Sequence, residues 1–139
     1  MKKLNNKGFT LIEIVIVIVI IAILAAMLVP SLTSWIDKSK MKTFTSACGT
    51  IKTAVWSQAA ENYAVDGSVG TINYDTVSAD VGKTVVGQNG TLAAGGYKVT
   101  AMDYNNGSIT VTDGTFTGVW ASSTATSWTV TKGNSNQPD

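Results

Sequence analysis

From Ile14 to Val29 the chain runs through sixteen apolar residues without a break, between Phe9-Thr10-Leu11-Ile12-Glu13 on one side and Pro30 on the other. Residues 9–29 number 21, which as a helix span about 31 Å at roughly 1.5 Å per residue. A bilayer hydrocarbon core is about 30 Å thick. Ile14 to Ile21 is wholly β-branched and would suit a strand in water. In lipid every backbone polar group must be satisfied within the segment, so the pattern predicts a membrane-spanning helix. Beyond Pro30 the pattern changes. Leu32, Trp35, Ile36, Phe44, Ala47, Cys48, Ile51, Val55, Ala59 and Tyr63 recur mostly at spacings of three and four, the signature of an amphipathic helix. Lys38, Lys40, Lys42, Lys52, Thr53 and Ser57 fall mostly on the other face. One long helix from Phe9 to Asn62 is predicted. Pro30 lacks an amide proton and its ring meets the carbonyl of Ala26, so a kink or local melting is expected there.

A third pattern begins at Asp66. Eleven of the 13 glycines lie at or after Gly67, amid many Thr, Ser and Val. Short alternating runs appear at Val69–Tyr74, Lys83–Val86, Gly96–Met102, Ser108–Thr112, Thr115–Ala121 and Ser127–Thr131. Asn105-Asn106-Gly107 and Asp113-Gly114 supply turn residues between such runs, which reads as successive hairpins. Tyr97, Val99, Ala101, Ile109, Val111, Trp128 and Val130 share one apolar face, opposite mostly Thr and Ser. An antiparallel sheet with one wet face and one face on a core follows. The amphipathic half of the helix is its natural partner. The fold class is therefore α+β: a long N-terminal helix packed on a small antiparallel sheet.

Composition narrows the function. The 139 residues make one small domain's worth of chain. The net charge of +1 gives no electrostatic footprint for nucleic acid. All ten basic residues are Lys, and His is absent, which removes the commonest general base and metal ligand. The single Cys48 makes neither an internal disulfide nor a multi-cysteine zinc site; on the apolar face it reads as a small buried side chain. No nucleophile, paired-carboxylate or P-loop pattern is present. The expectation is a non-enzyme with no cofactor and no metal. Asp103, Asp113 and Asp139 are scattered without calcium-loop spacing. Phe9, Trp35, Phe44, Trp56 and Tyr63 recur along the helix, and their helical spacing fits core packing better than a conductive stack.

The span has a direction. Lys2, Lys3 and Lys7 precede it without an acid, and the chain past Gly8 carries 7 Lys against 9 Asp and Glu. The positive-inside rule puts the N-terminus in the cytoplasm and everything past Val29 outside. A cleaved secretory signal normally has an apolar core of about 7–15 residues and a small-residue cleavage site; this run is longer and holds Glu13. A plain anchor leaves Glu13 unexplained, because a bare carboxylate in a span costs several kcal/mol unless it snorkels or pairs.

Lys7-Gly8-Phe9-Thr10-Leu11-Ile12-Glu13, behind a short basic leader and before an apolar run ending near Pro30, resembles the class III signal of type IV prepilins, also found in type II secretion pseudopilins and competence pilins. The resemblance covers about residues 1–36. It implies that a prepilin peptidase cuts between Gly8 and Phe9 and that the new Phe9 amine is N-methylated. It implies that Glu13 pairs with that amine on a neighbouring copy and sets axial register during assembly, and that Pro30 marks a helix kink. It also implies a helical homopolymer built with an inner-membrane assembly platform and an ATPase motor. Residues 1–8 are then a leader, 9–29 a transmembrane and filament-core helix, 30–62 its amphipathic half, 63–95 a variable loop region and 96–139 the sheet. The absent C-terminal disulfide is closest in character to Gram-positive, clostridial-type pilins. The leading expectation is a type IV pilus subunit, a single-pass membrane protein before assembly and an extracellular filament component after it. Such fibres serve adhesion, twitching motility or DNA uptake. A type II secretion or competence pseudopilin and a membrane-anchored surface adhesin are the alternatives.

Overall fold

The computed structural model describes residues 8–133. The leader lysines Lys2, Lys3 and Lys7, and Asp139, lie outside the described residues. The chain divides into two compact units, one ending at Ser39 and the other beginning at Lys40. Helix α1 (Leu11–Asp66) contributes to both. It starts two residues later and ends four residues later than the spacing predicts.

In the first unit every described residue from Gly8 to Ser39 is exposed. The helix there is held by its own backbone ladder. It continues through Pro30, where the sequence predicted a kink or melting; melting is absent. Proline removes one ladder donor, and the Thr33 hydroxyl donates to the Pro30 carbonyl at 2.9 Å, so local side-chain bonding supports the turn around it.

In the second unit α1 buries Phe44, Cys48, Ile51, Ala54, Val55 and Ala59. These spacings are the predicted stripe, but it is shorter than predicted. Trp35 is 72 % exposed and Tyr63 57 %, and Leu32 and Ile36 are exposed too. A helical face is buried only where a partner layer stands against it, and the sheet's apolar residues meet the stretch from Phe44 to Ala59.

That sheet has five strands in the order β1 (Val85–Val86), β2 (Tyr97–Asp103), β3 (Ser108–Thr112), β4 (Phe116–Trp120) and β5 (Thr129–Lys132). The pairs β2–β3, β3–β4 and β4–β5 are antiparallel, as predicted. The pair β1–β2 is parallel, a correction to an all-antiparallel sheet drawn only from residue 96 onward. Parallel neighbours need a crossover rather than a tight hairpin, and residues 87–96 supply it.

Two local expectations fail for physical reasons. Val69–Tyr74 alternates like a strand but is not one. Its backbone is held by side chains of α1: Asn62 Nδ2 donates to the carbonyls of Val69 and Thr71, at 2.8 and 3.3 Å. A second helix, α2 (Tyr74–Val81), then begins at Asn73, whose side chain accepts from the Asp75 amide at 3.0 Å. It ends at Gly82, whose φ of 70° suits the left-handed cap. The second failure is Ala101. A bulge between Val99 and Ala101 shifts the register of β2 against β3. Ala101 is turned out and Met102 packs against the core in its place, the re-aiming that an extra strand residue produces.

The core joins helix to sheet. Phe44 lies 5.7 Å from Phe116 and 6.2 Å from Tyr97 by ring centroids. Trp56 pairs with Tyr104 at 6.0 Å. Of the five helix aromatics expected in a core, Phe44 and Trp56 thus pack there, whereas Phe9, Trp35 and Tyr63 are exposed because no partner layer stands against them. Gly118 in β4 leaves room for this approach: a Cβ there would sit 3.1 Å from Cys48 Sγ and 3.2 Å from Phe44 Cε1. Trp128, expected within the last strand, lies just before β5, half-buried and 5.6 Å from Trp120. The whole is the α+β, pilin-like arrangement of a long helix and a mostly antiparallel five-stranded sheet.

Candidate processing and assembly site

The predicted site residues Gly8, Phe9 and Glu13 lie together at the start of α1. Gly8, Phe9 and Thr10 are not helical, and the helix begins at Leu11. The first ladder bond runs from the Ile14 amide to the Thr10 carbonyl at 3.4 Å. The Gly8–Phe9 peptide bond therefore sits outside the helix. Phe9 is 84 % exposed, and a Cβ added to Gly8 would meet no atom of the described residues within 4 Å.

Glu13 folds back over this end. Its Oε2 accepts from the Thr10 amide at 2.8 Å and from the Thr10 hydroxyl at 2.7 Å. In return the Glu13 amide donates to Thr10 Oγ1 at 3.3 Å. This reciprocal pair is a capping box, in which an N-cap Thr and a Glu three residues on satisfy each other's orphan amides. No such role was expected of Thr10. The signal was legible all the same, because Thr10-Leu11-Ile12-Glu13 before an apolar run is the capping-box spacing. The carboxylate is an exposed anion at the head of an exposed apolar helix. Its chemistry is to accept hydrogen bonds or a cation.

Pro30 lies far along the helix from this cluster and is not brought to it. Nor are the chemistry-bearing residues of the second unit. Burial, followed by the nearby charge of Asp113, pushes the Cys48 thiol up to about 12, so it stays protonated and inert at neutral pH. Asp113 Oδ1 accepts from the amides of Thr115 and Phe116 at 2.8 and 2.7 Å. Asp103 Oδ1 accepts from those of Asn105 and Asn106 at 2.9 and 3.3 Å. These acids shape the two predicted turns. Among the described residues no cluster of three acids, cysteines or histidines could hold a metal ion.

The family described as the prokaryotic N-terminal methylation motif matches residues 3–29. The match covers 27 of the 139 residues, so the likeness is to the N-terminal motif alone. The matched stretch includes Gly8, Phe9, Glu13 and the apolar run up to Pro30. No curated protein and no solved structure matches the chain. Motif and apolar helix together support a type IV pilin-like or pseudopilin-like protein. They imply processing by a prepilin peptidase, membrane anchoring before assembly, and assembly into pilus-type polymers.

Proposed function

We propose that this chain is a structural subunit of a type IV pilus. It is cut between Gly8 and Phe9, N-methylated at Phe9, and polymerised through residues 9–29 into an extracellular filament. The observation that carries this reading is Glu13, an exposed carboxylate at the head of a helix whose apolar surface up to Val29 is exposed on all sides. That surface needs lipid before assembly and other copies of itself afterwards. An unpaired Glu13 is a penalty in an apolar setting. Pairing with the cationic Phe9 amine of a neighbour removes the penalty only at the right axial stagger, so charge sets register.

The open space at Gly8 supports recognition from outside the chain: nothing among the described residues asks for a bare residue there. The assembly platform and ATPase motor come from other proteins, and Pro30 marks a helix kink between the span and the rest of α1. Asp103 and Asp113 serve turns rather than a calcium loop, which favours a pilus over a calcium-dependent secretion pseudopilin. The lone Cys48 favours the clostridial type of pilin without a C-terminal disulfide.

The test is mass spectrometry of the N-terminal peptide from fibres sheared off the cell surface. An N-methylated Phe9 start, abundant in that fraction, is expected. A Phe9 start confined to the membrane would instead indicate a pseudopilin, and an uncut Met1 start would overturn the reading. Glu13→Ala should lower fibre yield by more than about tenfold, given the several kcal/mol at stake, with membrane insertion unchanged.

A further inference from the structure

Thr10 stands between the scissile bond and the register carboxylate, and both of its donors go to that carboxylate. Its amide and its hydroxyl donate to the same oxygen, Glu13 Oε2, at 2.8 and 2.7 Å. Its hydroxyl oxygen also accepts from the Glu13 amide at 3.3 Å. One hydroxyl can do both, having one donor and two acceptor lone pairs. Both residues lie after the Gly8–Phe9 bond, so cleavage removes neither. All three bonds span three residues of one turn and are made without help from the second unit.

We propose that Thr10 is a positioning residue for assembly: it locks Glu13 back over the helix start through Oε2 and leaves Oε1 for the Phe9 amine of a second copy. This rests on the reading of Glu13 as the register residue. A free glutamate has three side-chain torsions to fix when copies meet. The Thr10 donors fix them beforehand, so association loses less freedom. The same donors stabilise the anion while it waits for its cation in an apolar setting. Any residue but proline at position 10 would offer the backbone amide. The hydroxyl is what threonine adds, and the device depends on it.

The experiment uses the full chain in cells that carry its peptidase, platform and motor. Tagged variants are expressed as minor copies beside the untagged chain, and their incorporation into sheared fibres is quantified by mass spectrometry, along with cleavage and methylation. The variants are Thr10→Val, which keeps the branched outline without the hydroxyl, Thr10→Ser, Glu13→Ala, and the Thr10→Val/Glu13→Ala pair. Thr10→Val should be cut and inserted normally yet incorporate about three- to tenfold less, the scale of one lost hydrogen bond. Thr10→Ser should restore incorporation. In the Glu13→Ala background Thr10→Val should cost less, because only the bond from the backbone amide at position 13 is then left to lose. Thr10→Ala repeats the comparison should valine disturb cleavage. Normal incorporation of Glu13→Ala would overturn the register reading itself. A defective Glu13→Ala beside a normal Thr10→Val would overturn the positioning proposal alone. So would a Thr10→Val loss of equal size in both backgrounds.

Discussion

The two stretches of α1 on either side of Ser39 are built from the same backbone ladder and bury nothing alike. Up to Ser39 the helix is apolar on all sides through Val29 and exposed throughout. From Lys40 onward it mixes lysines, threonines and apolar residues, and buries one stripe from Phe44 to Ala59. More apolar surface therefore goes with less burial inside the subunit. A helix that is hydrophobic all round is made for a membrane or for the interior of an assembly, whereas a one-sided helix is made for a single partner layer. The first stretch is completed by something outside the chain and the second by the chain's own sheet.

That contrast can be broken most severely at Phe44. Phe44→Ala removes a ring packed on Tyr97 and Phe116 and should destabilise the second unit by about 3–5 kcal/mol. Denaturant unfolding of the detergent-solubilised full chain should register the loss while membrane insertion stays normal. A failure to insert would mean that the two stretches are not independent. Gly118→Val tests the same interface from the sheet side. Its side chain would press on Cys48 and Phe44 and should cost about 1–3 kcal/mol by overpacking, read as a lower unfolding midpoint. An unchanged midpoint would place the helix farther from β4 than the contacts imply.

Cys48 sharpens the comparison by pH. Its thiol is pushed up to about 12 in the folded chain by burial and by Asp113, against about 8.5 for an unfolded cysteine. The folded state holds its proton more tightly. The contribution is therefore complete below about pH 8.5 and is lost as pH rises toward about 12, with a slope of at most about 1.4 kcal/mol per pH unit. Unfolding midpoints between pH 8 and 10.5 should fall less steeply in Cys48→Ala than in the native chain. Equal slopes would mean that the thiol is open to solvent.

Much of this was legible along the chain. Period 3.6 from Phe44 to Ala59 marked the buried stripe, and Asn106-Gly107 and Asp113-Gly114 marked the turns that Asp103 and Asp113 now cap. The site residues Gly8, Phe9 and Glu13 were found through their order behind a basic leader. Their capping box was visible in Thr10-x-x-Glu13 but was overlooked, because a motif read for processing hides a motif for helix initiation. The helix α2 was missed for a different reason. Asn73, Asp75 and Gly82 are sound start and stop signals, but eight residues are too few for periodicity to speak, and Val69–Tyr74 alternates like a strand.

By itself the sequence determined that α1 is helical and that β2 to β5 are extended, where the hairpins turn, and that one end suits a membrane. These follow from local backbone preference and from the spacing of apolar residues. Only the tertiary structure decided how far the buried stripe reaches, why Met102 rather than Ala101 faces the core, and that β1 joins the sheet parallel to β2. Burial and strand partners depend on which surfaces meet in space. A one-residue bulge or an eight-residue helix changes that meeting while leaving the pattern along the chain almost as it was.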